Sequence, residues 1–140
     1  ADFSYLYIDQ ECSVLDPGLT VFEQTERFNA SHLAEHELKS ILNRYLFPYE
    51  TWDKPCFCLS GGEKIRLLFC CLMIGNNAPD VFILDEPTNN LDIQSVEIIT
   101  AAIKSYRGTV LLISHDHYFV KEIKINRSIK LFDTGSVIKI

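Results

Sequence analysis

Four apolar residues, Val81 to Leu84, run directly into two adjacent carboxylates, Asp85 and Glu86. A short, unbroken apolar run of this kind fits a parallel strand buried on both faces. Downstream, Val96, Ile99 and Ile103 recur at helical period behind a capping residue, Asp92, and Gly108 is the expected terminator. Thr109 to Ile113 then reads as a second buried strand. Strand, helix, strand is the pattern of a parallel α/β sheet, where ligands bind beyond the carboxyl ends of the strands. Those ends carry Asp85, Glu86 and His115.

The flanking sequence extends this frame. Phe3 to Ile8 alternates and predicts a strand ending at Asp9 and Gln10. After a loop at Asp16-Pro17-Gly18, Thr20 stands three residues before Glu23, a capping-box spacing that predicts a short helix through Phe22 and Phe28. Leu33, Leu38, Ile41, Leu42 and Tyr45 predict a second helix after Ser31. Pro48 and Pro55 bracket a turn-rich segment around Trp52, and a helix re-enters near Ser60 with Ile65, Leu68 and Leu72 on one face, ending around Gly75. Past the short segment His117 to Glu122, Ile129 and Leu131, a turn at Asp133-Thr134-Gly135, and Val137 to Ile140 predict a closing hairpin.

Composition bounds what such a chain does. With 140 residues, 47% of them hydrophobic, it can bury one core but has little room for a second. A formal charge of -6 argues against tight binding to nucleic-acid backbone through net electrostatics. The cysteines Cys12, Cys56, Cys58, Cys70 and Cys71 are odd in number, lie among apolar residues and lack paired C-x-x-C knuckles, so they read as reduced, buried and inert thiols. No apolar run is long enough to span a bilayer and no signal-peptide pattern opens the chain, which predicts a soluble protein with no direct membrane insertion. The triplets at Asn29 and Asn126 read as ordinary surface residues.

Three segments carry chemistry. In Leu59-Ser60-Gly61-Gly62-Glu63, a serine and two glycines open a helix whose free N–H groups a phosphate can approach closely. A capping box between Ser60 and Glu63 explains the same letters, and in isolation the two readings are balanced. At the end of the Val81 strand, Asp85 suits Mg²⁺ held through its water shell, and Glu86 suits the water attacking a terminal phosphate. A turn before Pro87 would explain one carboxylate better than two. His115, between Ser114 and Asp116, can donate to a terminal phosphate; a lone histidine is more often structural, but the order of the three segments makes them support one another.

That ordered set resembles the ATP-binding cassette family: LSGGE matches its signature sequence, FILDEP its Walker B strand and SHD its switch region. Gln10 matches the family's glutamine after an early strand, and Asp92 the aspartate ending the D-loop. The resemblance implies an α/β fold, a partial P-loop NTPase-type domain with a parallel sheet core (1–10 and 76–140), a helical signature subdomain (about 11–75) and the C-terminal hairpin. Glu86-Pro87-Thr88-Asn89, Leu91-Asp92, Ser114-His115-Asp116 and Tyr118-Phe119 are most similar to the ABC-F subfamily of soluble, two-cassette proteins, although many relatives carry histidine where Asn90 stands. The uninterrupted interval from Gln10 to Ser60 is similar to second cassettes of that subfamily.

By this resemblance ATP and Mg²⁺ are bound between two cassettes packed head to tail. Ser60, Gly61 and Gly62 close on ATP held by the partner, Gln10 and Asp85 bear on Mg²⁺, Glu86 on the attacking water, His115 on the γ-phosphate and Asp92 on communication across the pair. It implies a cytoplasmic ATPase acting on the ribosome in translation or antibiotic protection. Two rival expectations are an ATPase subunit of a membrane transporter and a non-catalytic interaction module. None of the six glycines begins a G-x-x-x-x-G-K-[ST] loop, which in the family lies upstream of the Gln10 position, so the chain reads as truncated before Gln10, inactive alone, and open to self-association through exposed strand edges.

Overall fold

The computed structural model describes residues 2–76, 78–131 and 137–139. Strands β1 (Tyr5–Ile8), β2 (Val81–Asp85) and β3 (Thr109–Ile113) form a parallel sheet in the order β1-β2-β3. Helices α1 (Val21–Phe28), α2 (Glu35–Arg44) and α3 (Gly61–Gly75) intervene between β1 and β2, α4 (Ile93–Ser105) between β2 and β3, and α5 (His117–Glu122) follows β3. Strands β4 (Ile129–Leu131) and β5 (Val137–Lys139) pair antiparallel. The expected turn at Asp133-Thr134-Gly135 and the last residue, Ile140, lie outside the described residues.

Local chemistry sets the helix boundaries. Thr20 Oγ1 accepts the Glu23 N–H at 3.2 Å while Glu23 Oε2 accepts the Thr20 N–H at 2.8 Å, closing the capping box that starts α1. The second helix begins four residues later than Ser31. The Asn29 side chain accepts the Leu33 N–H and donates to the Leu33 carbonyl, both at 2.9 Å, which keeps the intervening residues out of helical pairing. Asn76, left-handed at φ 48°, ends α3.

The core centres on α3, whose Phe69 meets Phe82 of the sheet. Ile65 and Leu68 are buried as expected, but Leu67, Phe69, Cys70, Cys71 and Ile74 are buried too, because α3 packs against α1, α2 and α4 and the one-face expectation is too narrow. Arg66 donates to the Tyr45 and Leu46 carbonyls at 3.2 and 3.4 Å, pinning the end of α2 to α3. Each fully buried Leu or Ile contributes about 1.5–3 kcal/mol to the core.

Two strand expectations need correction. Leu6, Ile8, Phe82, Leu84, Val110 and Leu112 face the helices, and Phe69 of α3 and Tyr106 after α4 both pack on Phe82, at 6.2 and 4.3 Å between ring centroids. The opposite face carries Tyr5, Tyr7, Leu111 and Ile113, all exposed, and no described element covers it. Strand β2 is therefore buried on one face, not both, and β3 is only half-buried on its helix-facing side. Gly108 does not terminate α4, which ends at Ser105 with Tyr106 as its cap. Instead a Cβ at Gly108 would overlap the Tyr106 hydroxyl and lie 2.7 Å from the Asp80 carbonyl, so the glycine permits a close approach at the entry to β3.

Candidate functional site

A cavity of about 300 Å³ opens at the carboxyl end of the sheet. Gln10 reaches it from the turn after β1, Ser60, Gly61 and Gly62 from the start of α3, Asp85 and Glu86 from the end of β2, and Asp92 from the start of α4. Seven of the eight residues singled out in the sequence thus converge. His115 does not line the cavity and is almost wholly exposed, yet its Nδ1 contacts Glu86 Oε1 and its N–H donates to Glu86 Oε2 at 3.3 Å.

At the start of α3 the capping box forms and still leaves backbone donors free. Ser60 Oγ accepts the Glu63 N–H at 3.2 Å and Glu63 Oε2 accepts the Ser60 N–H at 2.8 Å. That leaves the N–H groups of Gly61 and Gly62, which have no acceptor inside the helix, for an outside acceptor. A Cβ at Gly61 would meet nothing within 4 Å, whereas one at Gly62 would lie 3.3 Å from Leu91 Cδ2 and 3.5 Å from Ser95 Oγ. Gly61 faces open space and Gly62 seats α3 on the start of α4. Burial pulls the Glu63 carboxyl up, but the Ser60 N–H and Lys54, 3.2 Å away, outweigh it and hold the group below its ordinary value.

Glu86 adopts a left-handed backbone, φ 48°, immediately after β2. For a residue with a Cβ this costs on the order of 1–2 kcal/mol. The Glu86 N–H donates to the Ile113 carbonyl at 2.8 Å and Asn89 N–H donates back to the Glu86 carbonyl at 3.2 Å, and these bonds hold the conformation. The side chain is thereby turned from the strand direction toward His115. Asp85, still on the strand, accepts the Tyr7 hydroxyl at 2.9 Å through Oδ2, and this bond raises the Tyr7 pKa.

Asp92 caps α4, accepting the Ser95 N–H on Oδ1 and the Ser95 hydroxyl on Oδ2, both at 2.8 Å. The backbone bond, then the hydroxyl, lowers its pKa. Asp9 turns the chain after β1 by accepting from Ser13, which likewise lowers its pKa.

The sequence reading did not single out Tyr7, Asp9 or Glu11, and took Asn89, Asn90 and Leu91 only as motif neighbours of Asp92, although all but Tyr7 line the cavity. The alternation that placed Tyr5 and Tyr7 on one face could have flagged Tyr7, but its partner depends on the pairing of β1 with β2. The lining holds five carboxylates, on Asp9, Glu11, Asp85, Glu86 and Asp92, and no lysine or arginine. Among the described residues no cluster of three or more His, Cys, Asp or Glu side chains is arranged to hold a metal unaided. Mg²⁺ commonly takes one or two protein ligands and the rest from phosphates and water, and Asp85 with Gln10 fits that sparse donor set.

Four of the five cysteines are buried as expected; Cys58 is exposed, because it closes a short turn (Cys56–Cys58) at the surface. No described helix is long and apolar enough to cross a membrane.

The profile of the ABC transporter family matches residues 4–89. Among curated proteins, ABC transporter F family member 5 of Arabidopsis thaliana is 42% identical over 128 residues, covering 91% of this chain and 18% of that protein. The probable ATP-binding protein YbiT of Escherichia coli O157:H7 is 43% identical over 105 residues, 75% of this chain and 19% of that protein. The chain therefore spans under a fifth of the length of these relatives. Among solved structures, an archaeal ribosome recycling factor, aABCE1, in complex with the ribosomal stalk protein aP1 superposes with a TM-score of 0.69 at 26% identity, covering 92% of this chain and 25% of that one. RNase-L Inhibitor superposes with a TM-score of 0.72 at 23% identity, over 100% of this chain and 28% of that one, a likeness of fold.

Proposed function

Because this chain belongs to the ABC transporter family of ATP-binding cassette domains, we propose that it supplies one half of a composite ATP site in an ABC-F type ATPase. The observation that carries this reading is the convergence of the α3 start with the carboxylates of β2 on one cavity. Gly61 and Gly62 offer backbone N–H groups to the phosphates of ATP held mainly by a second cassette packed head to tail. The cavity's own five carboxylates would repel a bare triphosphate, so the remaining positive charge must come from that partner and from the metal.

Bound Mg²⁺ supplies charge neutralisation and orientation of the phosphates, with Asp85 and Gln10 as its protein contacts. Glu86 orients the attacking water and accepts its proton; His115 fixes the Glu86 carboxylate and donates toward the γ-phosphate. Asp92, bonded to Ser95 beneath Gly62, ties the start of α4 to the start of α3, so displacement of one moves the other. We assign residues 1–10 and 76–140 to the sheet core and about 11–75 to the helical subdomain. The 140 residues contain no lysine-bearing phosphate loop, and alone they turn over no ATP.

The relatives named as F family members and the ribosome recycling factor support a cytoplasmic, ribosome-associated role. The test is Glu86→Gln in the full-length polypeptide carrying this sequence: turnover falls about 10²–10⁴-fold while ATP stays bound, and the protein sediments with ribosomes rather than membranes. Undiminished turnover sinks the assignment of Glu86; recovery in the membrane fraction sinks the ribosomal role.

A further inference from the structure

We infer that Tyr7 is a positioning residue for Asp85, a role that rests on the reading of Asp85 as a contact of Mg²⁺. Tyr7 pairs with Ile83, so Asp85 lies one step further along the same sheet face, diagonal rather than opposite. Only a long side chain with a polar tip spans that diagonal, and the Tyr7 hydroxyl reaches Asp85 Oδ2 at 2.9 Å. Tyr7 is 46% exposed, so water is available to its hydroxyl and burial does not force the bond. The contact instead occupies one carboxylate oxygen of Asp85 and restricts its rotation, leaving the other oxygen to a metal. Among the neighbours on this face, Ile83 and Leu111 have no side-chain donor, and the Tyr5 position pairs with Val81, two residues further back from Asp85 than the partner of Tyr7.

A hydrogen bond of this kind is worth about three- to tenfold in an equilibrium constant. In the full-length polypeptide, Tyr7→Phe keeps the ring and removes the donor. The Mg²⁺ concentration for half-maximal ATP turnover should rise about three- to tenfold, and Mn²⁺ binding followed by electron paramagnetic resonance in the presence of a non-hydrolysable ATP analogue should weaken equally. ATP binding without metal and the melting temperature should not move. Asp85→Asn should abolish both metal readouts, and adding Tyr7→Phe to it should change nothing more. If Tyr7→Phe leaves both metal readouts at wild-type values while Asp85→Asn loses them, the positioning role is wrong and the reading of Asp85 stands. If Tyr7→Phe lowers turnover equally at every Mg²⁺ concentration with Mn²⁺ binding intact, Tyr7 is only structural. If Asp85→Asn itself leaves metal binding intact, the reading of Asp85 falls and the inference with it.

Discussion

The carboxylate of Asp92 takes both the N–H and the hydroxyl of Ser95, each at 2.8 Å, and so begins α4 at the rim of the cavity. Replacing it by alanine leaves the first turn of α4 uncapped and should cost about 0.5–2 kcal/mol at neutral pH, with Asp92→Asn losing less. The lowered pKa gives the pH dependence: the unfolded chain binds the proton more readily, so the contribution is complete above the ordinary aspartate range and is lost as pH falls through the lower folded value. Urea unfolding of wild type and Asp92→Ala should therefore converge below about pH 4. A gap that stays constant down to pH 2 would show that the carboxylate charge is not what caps the helix.

Glu86 and His115 meet across the ends of β2 and β3, and the left-handed Glu86 backbone aims the carboxylate at the ring. His115→Ala in the full-length polypeptide should leave ATP binding unchanged and lower turnover about 10²-fold or more, since it removes a donor to developing charge and frees the Glu86 side chain. Combined with Glu86→Gln it should add far less than its single effect, because the two groups act as a unit. Single-turnover measurements decide this; fully multiplicative losses would separate the two residues.

Two glycines make opposite predictions. A Cβ at Gly108 would overlap the Tyr106 hydroxyl, which also donates to the Pro79 carbonyl, and the Asp80 carbonyl. Backbone at the β2 and β3 entries would have to shift, so Gly108→Ala should destabilise by about 1–3 kcal/mol. At Gly61 the added methyl meets open space within a helix, and Gly61→Ala should be neutral or stabilising by up to about 1 kcal/mol. Denaturation midpoints for the two variants test this, and equal losses would contradict the packing at both positions.

These positions mark how far the sequence could be read. The capping boxes at Thr20 and Ser60, and the helix-capping Asp92, were legible because each is closed within three residues. The cavity was legible because strand ends in a parallel sheet converge wherever the chain crosses over. The exposed face of Tyr5, Tyr7, Leu111 and Ile113 was not, since an apolar run has the same letters whether one or both of its faces are covered. Gly108 was read as a helix stop because its neighbours in space, Tyr106 and Asp80, include one from another strand entry. The Tyr7–Asp85 bond spans 78 residues and depends on strand register, which no local pattern encodes.

The thiols divide by burial. Desolvation pushes Cys12 and Cys70 up to about 12, Cys56 up to about 11 and Cys71 well above its ordinary value, while Cys58 stands at the surface. Only the thiolate attacks an alkylating reagent, so at pH 8 the four buried groups are both protonated and shielded. Iodoacetamide should modify Cys58 alone on the folded chain, and the other four only after denaturation. The same shifts make the fold alkali-sensitive. The unfolded thiols ionise near their ordinary value while the folded ones hold their protons, so stability is complete below about pH 8.5 and declines as pH rises toward the raised folded values. Urea midpoints that stay flat from pH 8 to 11, or a second cysteine labelled as fast as Cys58, would show that water reaches the buried thiols.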